Sequence, residues 1–266
     1  MNEIHVCGQS DAGRVRLENQ DCFLINGIIE RSFAGAKIQD SGMFLEQYGL
    51  LCAVADGMGG HSGGAIASHM LLRHLALNAL ETGNYDDPVQ AGEHIRQAVD
   101  KAHEIIVGQG KVNPSLADMG TTLAGVYIKK DYSVVFHAGD SRVYRFRGGY
   151  LNQLTSDHTA ENLLWMTTGK LPQGPKSGVI TNSIGGGQGV KCYVEVNNIT
   201  FIKGDILLIC SDGLTDMVET KTIEEILSRG SGIDEKSRQL IGAANEAGGM
   251  DNITVILIEY RGEKNA

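Results

Sequence analysis

The apolar positions of this chain fall into short uninterrupted runs and two longer amphipathic stretches. Residues 4–7 and 22–29 read as strands around a turn at 11–13. The run L-L-C-A-V-A at 50–55 ends on Asp56 and turns on Gly57, Gly59 and Gly60. Ile66, Met70, Leu71, His74, Leu75 and Ala79 recur at helical spacing and predict a helix over 66–80. A second face, Val89, Ile95, Val99, Ala102 and Ile106, predicts a helix over 88–107, with Pro88 after two aspartates as its start. Short strands follow at 121–128, 133–138 and 142–147, and Gly148-Gly149 turns the last of these into 150–154. Residues 156–189 carry glycine and proline without periodicity and read as a long loop or flap. The chain closes with strands at 190–196 and 205–210, one or two helices including 233–247, and a strand at 253–260. This order predicts an α+β fold with mostly antiparallel sheet rather than alternating βαβ units. No repeat or proline-rich linker interrupts it, so residues 1–266 are expected to form one domain.

Four of the apolar runs end in the same way. Asp56, Asp140, Asp212 and Asp251 each stand at the edge of a strand, beside glycine or a small polar residue. One Asp-Gly pair is ordinarily a turn. Four such endings read either as four turns or as a cation site assembled by folding. Mg²⁺ and Mn²⁺ prefer oxygen ligands and retain water. Zinc would recruit histidine or cysteine at short spacing, and neither H-E-x-x-H nor C-x-x-C occurs. Two such ions held together can activate a shared water at neutral pH. Gly57 would let a backbone carbonyl approach an ion closely. Arg16 and Asp21 lie in G-R-V-R-L-E-N-Q-D, where the arginine suits bidentate recognition of phosphate and can equally be part of a charged turn.

Bulk properties narrow the partners. The net charge of −9 opposes sequence-independent binding to nucleic acid or to an anionic membrane. The five cysteines are odd in number and unpaired in sequence, which points to reduced structural thiols in a cytoplasmic protein. No run approaches the roughly 20 apolar residues of a membrane span, and no signal pattern opens the chain.

Seven segments occur in an order that resembles a known family. They are S-D-A-G-R-V-R-L-E-N-Q-D (10–21), V-A-D-G-M-G-G-H (54–61), M-G-T-T-L-A-G (119–125) and H-A-G-D-S-R-V-Y-R (137–145). L-T-S-D-H-T (154–159), G-D-I-L-L-I-C-S-D-G-L-T-D (204–216) and D-N-I-T-V (251–255) complete the set. Together they resemble the metal-dependent protein serine/threonine phosphatases of the PPM, or type 2C, family, most closely its compact bacterial members. The resemblance implies a four-layer α/β/β/α sandwich of two antiparallel sheets with helices outside. It implies two Mn²⁺ or Mg²⁺ ions, with Asp56 bridging them and the Gly57 carbonyl on one. Asp212 and Asp251 would bind the other, and Asp21 would hold coordinated waters. Asp140 with Asp212 would bind a third ion, and Arg16 would grip the phosphoryl group. A water bridging the two ions would attack phosphorus and displace serine or threonine. Phosphorylated proteins are the implied partners, with a serine/threonine kinase on the same targets, and the chain is expected to act as a monomer in signalling.

Several positions depart from that pattern. Gln20 stands where the family usually has Glu, and Met58 where many eukaryotic members have a histidine proposed as general acid. His61 reads as a helix cap rather than its replacement, and His158 as support for the flap base. Asn182 occupies a region where family members often carry arginine. Trp165 and Met166 in the flap read equally as packing or as a surface for substrate. The glycines of 185–189 superficially suggest a nucleotide loop, but a strand is expected next rather than a helix. Two other functions compete: an inactive family member serving as a signalling or binding module, and a two-metal nuclease or phosphodiesterase.

Overall fold

The computed structural model describes residues 2–59, 62–81, 85, 87–170, 177–187, 189 and 192–261. The chain opens with strands β1 (Glu3–Asp11), β2 (Cys22–Ile25), β3 (Ile28–Glu30) and β4 (Phe33–Ile38), then helix α1 (Ser41–Gln47). Strands β5 (Leu50–Ala55) and β6 (Gly57–Met58) lead into the helical pair α2 (Gly63–Glu81) and α3 (Pro88–Val112). Next come β7 (Gly120–Thr121), β8 (Leu123–Ile128), β9 (Ser133–Ala138), β10 (Arg142–Arg147), β11 (Tyr150–Gln153) and α4 (Ala160–Thr168). The remainder is β12 (Ile184–Gly185), β13 (Glu195–Ile199), β14 (Ile206–Cys210), α5 (Asp212–Thr215), α6 (Thr220–Ser228), α7 (Ile233–Glu246) and β15 (Ile253–Arg261).

Two six-stranded sheets form, ordered β11-β10-β14-β15-β1-β4 and β13-β9-β8-β5-β2-β3, with antiparallel neighbours throughout. The apolar runs are continuous because both faces of these strands are covered. In β5, Leu50, Cys52 and Val54 point between the sheets, and Leu51, Ala53 and Ala55 point outward. In β14, Leu207 and Ile209 face inward, and Ile206, Leu208 and Cys210 face out. The outer face of one sheet packs on Leu71, Leu75, Ile95 and Val99 of α2 and α3. The other packs on Ile223, Ile226, Leu240 and Ile241 of α6 and α7. The result is helix, sheet, sheet, helix, the four-layer architecture expected. Strict period 2 within each run assigns alternate side chains to different cores.

Asp87 caps α3: its side chain accepts from the Val89 and Gln90 amides at 2.8 and 2.9 Å, with Pro88 in the first turn. Four cysteines are buried and Cys192 is half-buried, all unpaired. Burial raises every one of these thiols, Cys7 to about 11 and Cys192 and Cys210 to about 12, so they remain protonated packing groups. Among the described residues no helix is long and apolar enough to cross a membrane.

Three expectations change. The strand placed at 190–196 is β13, Glu195–Ile199, paired with β9 from His137 to Ser133. Its Asn197-Asn198 pair hides it from propensity. The strand at 121–128 divides at Thr122, with β7 in a small third sheet with β6 and β12. The flap region contains α4, whose Leu163, Leu164, Trp165 and Met166 are all exposed. Four consecutive apolar residues give no helical stripe, so the periodicity signal fails there.

Candidate metal centre

The strand ends converge at one edge of the sandwich. Asp56 leaves β5 there and is pinned through its backbone. Its amide donates to Thr122 Oγ1 at 3.1 Å, and its carbonyl accepts from the Thr122 amide and Thr121 Oγ1, both at 2.8 Å. These threonines are the pair in M-G-T-T-L-A-G. Gly57 is required by close packing: a Cβ there would lie 2.1 Å from the Gly64 carbonyl oxygen at the start of α2.

Asp21, just before β2, is fully buried. Its Oδ2 accepts from Ser211 Oγ and Thr254 Oγ1, each at 2.7 Å, while Oδ1 has no partner. Asp212 begins α5 immediately after β14, and Asp140 sits in the β9–β10 turn; each has a buried Oδ1 without a partner. Asp251 precedes β15 and meets Arg16 edge-on, with Arg16 Nε to Oδ1 at 2.8 Å and Nη2 to Oδ2 at 2.6 Å. Asp251 Oδ1 also accepts from the Asn252 amide at 2.9 Å.

Burial followed by mutual repulsion raises the carboxyls of Asp21, Asp56, Asp140 and Asp212. Asp56 lies well above the usual range, first through burial and then through Asp21, Asp212, Asp140 and Asp251. Asp21 is pushed up to about 7 by burial and by Asp212 and Asp251, against the pull of its two hydroxyl donors. Asp140 reaches about 7 through burial and Asp212, and Asp212 is raised by burial, Asp216 and Asp251. Five carboxylates in mutual electrostatic contact are a costly arrangement without a countercharge. Arg16 on the rim neutralises one of them. Asp21, Asp140 and Asp212 each carry a buried carboxylate oxygen without a partner, and oxygen is the ligand type that hard divalent cations prefer.

A cleft of about 940 Å³ opens over this set and includes Arg16, Gln20, Asp56, Gly57, Asp212 and Asp251 in its lining. A second cavity of about 570 Å³ adjoins it through Asp212 and runs past Asp140 and Arg142 to Trp165 of α4. Arg142 is tied to Asp157 by a short bidentate pair at 2.9 and 2.5 Å.

The structure thus brings together Arg16, Asp21, Asp56, Gly57, Asp140, Asp212 and Asp251. It keeps His158 apart, in a supporting role. His158 Nδ1 accepts from the Gly139 amide at 3.1 Å and from Asn182 Nδ2 at 2.8 Å. Asn182 in turn brackets the backbone of Tyr193 at 2.8 and 3.1 Å, so the position read for arginine is a buried structural amide. His61 lies outside the described residues. Met58 is half-buried and lines the cleft without a titratable group.

His137, His158 and Glu195 also place ligand-type atoms within 4.8 Å of one another. Their hydrogen bonds argue against a metal there. His137 Nε2 lies 2.9 Å from the Ser156 carbonyl oxygen, a contact that needs the proton on this nitrogen, and a longer 3.4 Å from the Ser156 amide. His158 Nδ1 accepts two N–H groups, so the proton of the neutral ring is on Nε2, facing Glu195 Oε1 at 3.3 Å. Both nitrogens that face Glu195 carry protons. Burial and then His137 lower His158 and favour this neutral form.

Sequence reasoning passed over Ser211, Thr254, Thr121, Thr122 and Asn252. The signal for Ser211, Asn252 and Thr254 was position alone: each adjoins a candidate aspartate or stands three residues from it inside a quoted segment.

The profile of the protein phosphatase 2C family matches residues 32–240, and the chain belongs to that family. Its relatives include the serine/threonine phosphatase stp of Listeria welshimeri, 33% identical over 263 residues, with 96% of each chain covered. Protein phosphatase PhpP of Streptococcus pneumoniae is 32% identical over the same length and coverage. Among solved structures, a serine/threonine phosphatase of S. agalactiae superimposes with a TM-score of 0.81 at 30% identity, covering 96% of this chain and 99% of that one. The catalytic domain of the serine/threonine phosphatase PstP, in complex with two manganese ions, gives 0.76 at 29% identity, covering 98% and 100%.

Proposed function

We propose that this chain is a metal-dependent protein serine/threonine phosphatase that hydrolyses phosphoserine and phosphothreonine monoesters. The convergence of Asp21, Asp56, Asp140, Asp212 and Asp251 beside Arg16, with three buried carboxylate oxygens left without partners, carries the reading. Asp56 and the Gly57 carbonyl, with Asp212 and Asp251, would hold two Mn²⁺ or Mg²⁺ ions. Asp21 would orient their water ligands, and Asp140 with Asp212 would take a third ion. When bound, such ions lower the pKa of water and neutralise charge on phosphate.

The remaining work falls to the chain. Arg16 would present to two phosphoryl oxygens the same Nε–Nη2 edge that meets both oxygens of Asp251. Thr121 and Thr122 hold the Asp56 backbone, and Ser211 and Thr254 hold Asp21, so the carboxylates are oriented before substrate arrives. Met58 of the cleft lining has no proton to give, and water would supply the proton to the departing alkoxide. Hydrolysis of a phosphothreonine peptide that requires Mn²⁺ and stops in EDTA is the expected result. Full activity in EDTA overturns the reading.

The exposed apolar side chains of α4, next to the cavity that adjoins the cleft, would receive the protein part of the substrate. Trp165→Ala is then expected to lower kcat/KM on a phosphoprotein about tenfold, a 1.4 kcal/mol loss. Turnover of p-nitrophenyl phosphate, which is too small to reach α4, should change less than about twofold. Equal losses on both substrates would remove α4 from recognition. We further propose that residues 1–266 act as one catalytic domain with its flap at 156–189. In this reading the protein works as a cytoplasmic monomer in signalling, opposite a serine/threonine kinase.

A further inference from the structure

Residues 12–20, which carry Arg16 between β1 and β2, form no helix or strand. Leu17 is fully exposed and Val15 is more than half exposed, so the hydrophobic core does not hold this segment. One buried amide side chain bonds to it at three points. Asn252 Nδ2 donates to the carbonyls of Ala12 at 3.0 Å and Glu18 at 2.9 Å, and Asn252 Oδ1 accepts from the Gln20 amide at 2.8 Å. Asn252 is 5% exposed. The three partners also define its orientation, because two carbonyls can meet only the NH₂ and one N–H only the oxygen.

These bonds close the segment at both ends. Ala12 and Glu18 flank Arg16, and both, together with Gln20, attach to Asn252, the residue after Asp251. Two further contacts reinforce the seat: the Arg14 amide donates to the Gly249 carbonyl at 2.7 Å, and Gly13 packs so closely that a Cβ would lie 2.2 Å from the Asp251 carbonyl oxygen. Gly13 has φ +78°, which a residue with a Cβ rarely adopts.

We propose that Asn252 is a positioning residue for phosphate recognition, acting through Arg16. It fastens the Arg16 segment to the strand end that presents Asp251, so that the guanidinium and the carboxylate set keep one spacing. The inference rests on the reading of Arg16 as the phosphate-gripping group. Misplacement of such a group by about 1 Å can cost up to about a hundredfold in rate.

The test is a double-mutant cycle of Asn252→Ala with Arg16→Ala. It is read by kinetics on a phosphothreonine peptide in saturating Mn²⁺, inhibition by inorganic phosphate, and Mn²⁺ affinity by calorimetry. Asn252→Ala is expected to raise KM and the phosphate inhibition constant about tenfold, with kcat within about threefold. Its effect should nearly vanish on the Arg16→Ala background, since a residue acting through Arg16 has nothing left to position. Mn²⁺ affinity should stay within about threefold, and amide exchange should quicken across 12–20 without change in β15. If Arg16→Ala raises KM and Asn252→Ala does not, the proposal fails. It also fails if the two losses multiply, or if Asn252→Ala weakens Mn²⁺ as much as Asp251→Asn does. If Arg16→Ala itself leaves KM unchanged, the phosphate role of Arg16 is wrong and the proposal falls with it. Should Asn252→Ala not fold, Asn252→Asp keeps the acceptor for Gln20 and loses both donations, and the same outcomes decide.

Discussion

Asp56→Asn is expected to abolish Mn²⁺-dependent activity, by about a thousandfold or more, while raising the melting temperature in EDTA at pH 8. The two effects share one cause. Asp56 is disfavoured as a charge first by burial and then by repulsion from Asp21, Asp212, Asp140 and Asp251. Asparagine keeps the shape and removes the charge, so the protein without ions loses a destabilising interaction. With ions, the same substitution removes the charge proposed to bind both of them. A thousandfold corresponds to about 4 kcal/mol of transition-state stabilisation, within reach of one shared ligand. The backbone bonds to Thr121 and Thr122 do not involve the side chain and should survive. Residual activity above a tenth of wild type, or a lower melting temperature in EDTA, would refute this account.

The second large effect is a pH dependence that the metal reverses. Burial, then the neighbouring carboxylates, push Asp21 and Asp140 up to about 7 from the ordinary carboxylate range. For a raised acid the folded state holds its proton longer than the unfolded chain does. Their contribution to stability is therefore fully present below about pH 4 and lost as pH rises through 7. In EDTA the melting temperature should fall steadily between pH 5 and 8. Mn²⁺ should restore it, with a larger gain at pH 8 than at pH 5, because ions bind the deprotonated carboxylates. Thermal scans at both pH values, with and without Mn²⁺, decide the matter. A gain from Mn²⁺ that is equal at pH 5 and pH 8 would mean that these carboxylates are not its ligands.

Much of the fold was readable because burial on both strand faces leaves a strong trace. β9 and β10 were placed to the residue, and α3 was located by its apolar face and its Asp87-Pro88 start. Three of the misses share one physical feature. β4 is a mostly exposed edge strand, α4 has no buried residue, and β13 carries the consecutive exposed pair Asn197-Asn198. Elements that bury little leave little periodicity. The site was legible as a set of aspartates because strand ends followed by glycine or small polar residues stand out in sequence. The groups that hold them were not, because serine, threonine and asparagine near a turn look alike whether or not they bond to something distant.

The sequence alone determined the period-2 and period-3.6 patterns, and hence which residues enter the cores and which aspartates stand at strand ends. Those are local properties, set by where the chain alternates and where it turns. Only the tertiary structure decided that Asp21 meets Ser211 and Thr254, 190 and 233 residues away. It alone decided that Arg16 faces Asp251 and that Asn252 holds the segment between Ala12 and Gln20. The register β1–β15 and β14–β15 brings these segments side by side. Long-range pairing selects one partner among many polar residues of the same type, and no local pattern encodes that choice.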